Sequence, residues 1–488
     1  MKKQSLLYTI VLVSMIILLV GMTCTGSKKE MQITTTSQEA LDLFRQGRVL
    51  WEKVRLEDSA PYFEKAIAKD SVFAMAYYYR AFSQNSTAGF FNDLNKAASL
   101  ADHVSEGERL FLSAVKADFI DNDPAAAKAL YQKLASLYPK DKRVHSQLGL
   151  YYTRQRNYGM AVEELKKAVD IDPDFSAVYN QLGYGYISLG DFDEAESAFR
   201  KYAELIPDEP NPHDSYGEVL MKQGKFDQSI HQYKTALSLN PQFYFSYVGL
   251  GSSLLFQGHA DQAREAFQKY FDVAPDDTHR RNALLAMARS YVYEGDLQKA
   301  MKVLKKRYSI SEKNNNLLDM ADDTYQMAEI LLEMGNLNEA MLKYQKNSEL
   351  LQQSVSLSAK QKSNLKQGLY FNEVRLALKN NDLETAKDKA EVYTKQAVTD
   401  NDPSEIQDAH ELAGMIALHE KRYEDALQEL QQANLQNPRN LCRIAKTYAG
   451  KGETETAKMY LEKAVHFNNM GMNFAFIRNR AKKMLDAM

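Results

Sequence analysis

Cysteine is nearly absent from this chain: Cys24 and Cys442 are the two in 488 residues. Two cysteines cannot build a disulfide framework, and without any C-x-x-C there is neither a zinc ribbon nor a dithiol redox pair. Tryptophan occurs once, and no block of Lys and Arg stands out from a net charge of -3. That balance lacks the basic footprint of a nucleic-acid binder, so no nucleic acid is expected as a partner. Charge is missing altogether from Gln4 to Ser27. Lys2 and Lys3 before that stretch, and the apolar run Leu6 to Met22 within it, have the layout of a secretory signal. The bulk of the chain is therefore expected to be exported.

The run Leu6 to Met22 is long for a signal core and short for a membrane span. Three readings stay open: a lipid anchor at Cys24, an uncleaved N-terminal anchor, or a soluble secreted product. Gly21-Met22-Thr23-Cys24 resembles the bacterial lipobox, with Gly21 where that motif has Leu and Thr23 where it has a smaller residue. The resemblance implies a signal sequence over 1–23 and lipidation of Cys24 at a bacterial cell envelope. Residues 24–37 are polar and without helical periodicity, and are expected to be a tether.

A repeat organises the rest. Pro139, Pro173, Pro207, Pro241 and Pro275 recur at one constant interval, and Gly149, Gly183, Gly217 and Gly251 each keep the same distance ahead of the proline that follows. Within one unit Tyr179, Leu182, Gly183 and Tyr186 fall at i, i+3, i+4 and i+7, the stripe of a first helix. Gly190 is placed to end it, and Asp191 with Glu194 to cap a second helix as a capping box. Ala195, Phe199 and Tyr202 form that helix's inward stripe, and Pro207 stops the pair.

This grammar resembles the tetratricopeptide repeat family: Leu148, Gly149, Tyr152, Ala161, Ala168 and Pro173 match in one unit, Leu250, Gly251, Ala263, Phe267 and Pro275 in another. The resemblance implies an all-α, right-handed superhelical solenoid of about eleven or twelve helix pairs. The family's 34-residue period is expected over 38–277. Over 278–471 longer, irregular repeats are expected, since the interval from Gly295 to Gly335 is wider than the one before it, and that from Gly335 to Asn381 wider still. Residues 472–488 carry an apolar stripe with Arg478, Arg480, Lys482 and Lys483 largely off it; they read as a terminal capping helix, or else as a basic membrane-surface helix.

Candidate chemistry has structural duties to answer to. His145, His213 and His410 occupy the aromatic place of their first helices and read as packing residues. His410-Glu411 begins a zincin-like motif, but Gly414 stands where the second histidine belongs, so no metal is expected. Gly450-Lys451-Gly452 has a P-loop's Gly-Lys but Ala445 in place of the first glycine, and reads as a turn between helices. Cys442 reads as a small packing residue. Asn85-Ser86-Thr87 is a lone sequon. No unassigned segment is long enough for a catalytic domain, so neither catalysis nor a cofactor is expected.

Carried over residue by residue, the resemblance implies a partner-binding groove along the first helices that includes Arg143, Asn180, Tyr184, Ile187, Phe245, Val248, Leu255, Phe256, Arg289 and Tyr293. Its apolar and aromatic content suits an extended peptide or an amphipathic helix. The expected function is that of an envelope scaffold for protein partners. The alternative is capture of a glycan or other nutrient by the same aromatic groove.

Overall fold

The computed structural model describes residues 30–84, 87–354, 362, 364–400, 402–469 and 471–488. The expected signal sequence 1–23, Cys24 and the sequon at Asn85 lie outside them. Among the described residues there are 25 α-helices and no strand. The chain divides into two compact units between Ser215 and Tyr216, and the change of rhythm near residue 278 falls inside the second.

Each repeat is built on one close crossing. A Cβ added at Gly149 would lie 2.7 Å from Leu165, at Gly183 2.4 Å from Phe199, at Gly251 2.4 Å from Phe267, and at Gly414 2.6 Å from Leu430. The step from glycine to partner is the same in all four, i to i+16. Glycine there lets a large side chain of the second helix lie against the first helix's backbone. Seven residues after each crossing the chain turns with positive φ, at Gly190, Gly224, Gly258, Gly295, Gly335 and Gly452, and also at Val54, Asn122, Arg156, Asn381 and Lys421. Eleven helix pairs follow this rule among the described residues. Ala81 and Ala97, both buried, stand at the same offset in a twelfth.

The offset survives where the constant period does not. Ala288 and Leu304 share one core, Ala328 and Tyr344 another, and Val374 and Ala390 a third, each pair again at i and i+16. The added residues lie beyond the crossing instead: Asp277–Glu294 and Leu317–Met334 have 18 residues, Leu297–Lys313 and Leu337–Gln353 have 17, against 14 in Ser176–Leu189. About one turn has been added at the ends that meet the neighbouring repeat. Residues 355–361, inside the stretch expected to lengthen between Ser348 and Lys366, are not described.

The recurring proline and aromatic places are coupled. The hydroxyls of Tyr179 and Tyr247 donate to the carbonyls of Pro173 and Pro241, six residues earlier, at 3.1 and 3.2 Å. Nε2 of His213 lies 2.9 Å from the Pro207 carbonyl and Nε2 of His145 3.2 Å from that of Pro139. In these four repeats a polar tip at the start of the first helix thus satisfies a carbonyl left over where the previous helix stopped. His145 and His410 also each meet a second-helix carboxylate, Glu164 and Glu429, at 2.7 Å.

One local expectation needs correction. Asp191 is the N-cap of Phe192–Leu205, but its side chain makes no capping hydrogen bond; the backbone closes the helix start, Phe192 N–H donating to the Gly190 carbonyl and Ala195 N–H to that of Asp191. The capping box is found instead at Ser105 and Glu108. The terminal helix Met472–Asp486 packs on Thr454–Val465 as a cap should, and also on Pro438–Gly450 and Asp277–Glu294. One core accordingly runs from Ala288 and Val292 to Phe476, Ile477 and Ala481. The apolar stripe of this helix is buried inside the second unit.

Candidate functional site

In the first unit, three first helices begin beside a buried carboxylate. Asp70 closes the turn before Ala74–Ala81, Glu108 is in the first turn of Glu106–Val115, and Asp141 is the N-cap of Lys142–Arg154. Helix N-termini favour negative charge, and each carboxylate gives one oxygen to its own helix start or turn: Asp141 accepts from Arg143 N–H at 2.9 Å, Asp70 from Val72 N–H at 3.1 Å, Glu108 from Ser105 N–H at 3.1 Å.

The remaining capacity is taken by the chain's own N-terminal segment. Asp141 accepts the N–H of Met31 at 2.8 Å, Glu108 that of Thr34 at 2.9 Å, and Asp70 that of Thr36 at 2.8 Å. Hydroxyls add to this, Thr34 donating to Glu108 and Thr35 to Asp70, while Ser105 donates to the Gln32 carbonyl at 3.0 Å. Burial alone would raise the Asp70 carboxyl, but the Thr35 and Thr36 donors hold it below its ordinary value. The expected free tether is thus corrected: residues 31–36 are a docked strap that crosses three repeats in reverse order.

Beside the strap lies a cavity of about 400 Å³. Met31 and Ile33 of the strap form one wall, Phe44, Tyr79 and Phe111 give it aromatic surface, and Arg45, Arg48 and Arg143 line its polar side. Arg143, the first residue of the expected groove, is held there by Glu52 at 2.8 Å, with its guanidinium over the Phe175 ring.

Other expected groove residues of this unit lie together. Ser215 donates to Asn180 at 3.2 Å and lies 3.4 Å from the Tyr184 hydroxyl. Tyr184 is 38% exposed, its ring edge-on to Phe199, and Ile187 is half-buried.

In the second unit Phe245 is 53% exposed beside Tyr244 and His279, and Val248 is half-buried. Leu255 is fully buried and is corrected from groove to core: it packs with Tyr233, Ala263 and Phe267. Phe256 and Tyr293 stand near one another, half-buried and in contact with the terminal helix. The Arg478 guanidinium lies 4.5 Å over the Phe256 ring, and Asn479 donates to the Tyr293 carbonyl. Both contacting residues belong to the terminal helix. Arg289 has a buried Nε that meets no acceptor among the described residues; burial, with Arg307 nearby, holds its pKa down to about 10.

The terminal helix is fastened by buried charge. Arg375 holds Glu329 through two bonds of 2.6 and 2.9 Å, Arg439 bridges Glu329 and Glu333, and Arg480 of the terminal helix reaches Glu333 at 2.7 Å. Burial would raise both carboxyls, but Arg375 beside Glu329, and Arg439 with Arg480 beside Glu333, hold each at about 2. Cys442 is buried in the adjoining core, and its thiol is pushed up to about 11.

The strap and its three carboxylates escaped sequence reasoning. Thr34 and Glu108 are 74 positions apart, and no periodicity links them. The local signs were the run Thr34-Thr35-Thr36 and the Ser105-x-x-Glu108 box.

Models described as Tetratricopeptide repeat match residues 114–176, 176–209, 220–288, 371–438 and 438–468, together more than half of the chain. Among solved structures, MamA is 23% identical over 34% of this chain and 91% of its own, with a TM-score of 0.32. YrrB, described as a TPR protein with an unusual peptide-binding site, is 20% identical over 37% and 92%, with a TM-score of 0.30. No curated protein matches the chain.

Proposed function

The chain belongs to the tetratricopeptide repeat family, and from that premise we propose that it is an exported, membrane-tethered scaffold that binds protein partners along its first helices at a bacterial cell envelope. The observation that carries the binding reading is the strap: three first helices already hold a stretch of polypeptide by its backbone. Glu108 and Asp141 at the starts of two first helices, and Asp70 in the turn before a third, do the holding, so the repeat itself supplies the recognition chemistry. Tyr184 and Phe245, exposed on first helices, support the same reading because aromatic rings supply large contact area with few rotors to freeze.

Export and tethering rest on the uncharged run Gln4 to Ser27 and on Cys24. Cys24→Ala is expected to release the protein from membranes or to block its processing. Fractionation and intact mass of the variant check this; if both are unchanged, the lipid anchor is wrong and an uncleaved span takes its place. Glycan capture remains the second reading, favoured by one feature, the exposed Phe245 beside Tyr244 and His279. Affinity capture from native membranes, set against a glycan array probed with the same protein, separates the two.

A further inference from the structure

We propose that the strap Met31–Thr36 is an intramolecular occupant of a peptide-binding track on the first unit, and that the track takes a partner segment of the same chemistry: non-helical, neutral or basic, with adjacent Ser or Thr hydroxyls and an apolar residue about three positions before them. This rests on the scaffold reading and names the surface and the kind of partner.

The receptor is buried and its occupant lies on its surface. Glu108, Asp70 and Asp141 are all buried, whereas none of residues 30–36 is. Because each carboxylate is also anchored to its own helix start or turn, it keeps its orientation when the strap leaves. What the track reads is backbone N–H at positions 31, 34 and 36, hydroxyls at 34 and 35, and the carbonyl of Gln32. Three buried carboxylates turn away an acidic segment. The apolar requirement comes from Met31, whose Cγ would lie 2.7 Å from a Cβ at Gly107 and which shares that space with Tyr138. The cavity flanking Met31 and Ile33 leaves room for a bulkier side chain than the strap offers. A tethered strap competes at an effective concentration near the millimolar range, so the intact protein is closed to weak segments.

The test uses the full chain and a fluorescent peptide of residues 30–37. Thr34→Pro with Thr36→Pro removes two of the three N–H donors and releases the strap. By anisotropy, the released variant should bind the peptide at least tenfold more tightly than wild type, and adding Glu108→Gln should abolish most of that gain. Equal binding by released variant and wild type, at wild-type helical content, overturns the proposal while leaving partner capture elsewhere on the scaffold intact. Should the proline variant not fold, hydrogen exchange in the wild-type chain decides: saturating peptide should speed exchange of the Met31, Thr34 and Thr36 amides. No change at saturation overturns the proposal.

Discussion

Tyr233 shows what a single position does in this architecture. Its ring faces Gly217 of its own repeat, where an added Cβ would lie 3.1 Å away, and Gly249 of the next, where it would lie 2.0 Å away. Held from both sides, the ring cannot yield. Gly249→Ala should therefore cost about 1–3 kcal/mol by overpacking, and more than Gly217→Ala. The sign reverses at Val54, a β-branched residue at φ 63 in a turn that glycine fills in other repeats. Val54→Gly should stabilise the first unit by about 1 kcal/mol. One denaturant series on the variants checks both signs. Gly217 and Gly190 could be read from the register of the repeat, because close approach and left-handed turns leave only glycine as the easy choice. Val54 could not, since a tolerated strained residue leaves no mark in the pattern.

Among elements, the terminal helix Met472–Asp486 caps the last repeat as expected and reaches beyond it to earlier repeats. Its amphipathic stripe was legible, yet the surface it covers was not: Phe256 and Tyr293 come from much earlier repeats, Tyr293 being 186 positions from Asn479, and each looked like free groove. Periodicity reports which face of a helix is apolar and is silent on which distant helix receives it. Removing residues 472–488 should strip the cover from Cys442, buried in the same core as Met472 and Ala481. Thiol labelling in a Cys24→Ala background should then rise from almost nil to near completion, with partial loss of helicity in the second unit. Equal protection in the truncated chain would show that this helix does not close the core.

For the molecule as a whole, buried charge sets a pH window. Glu329 and Glu333 ionise at about 2 when folded, below their ordinary 4.5, so their contribution is complete above about 4.5 and is lost as pH falls toward 2. Asp408 runs the other way: burial, with Glu411 and Glu405 adding repulsion, pushes it up to about 6. Its cost is full above about 6 and is relieved as pH falls toward its ordinary 3.8. Thermal melts of the full chain should show the second unit most stable between about pH 4 and 6. Neither effect was legible in the sequence, because the partners of Glu329, Arg375 and Arg439, come from other repeats, 46 and 110 positions away.

What was legible is the repeat and its first helices, the surface proposed to hold protein partners. A photo-crosslinking residue placed in the native envelope at Tyr184, at Phe245, and at the exposed second-helix residue Leu342 reads out whether they do. Discrete protein adducts are expected at 184 or 245 and none at 342. Adducts at 342 alone, or none at any of the three, would contradict the proposal.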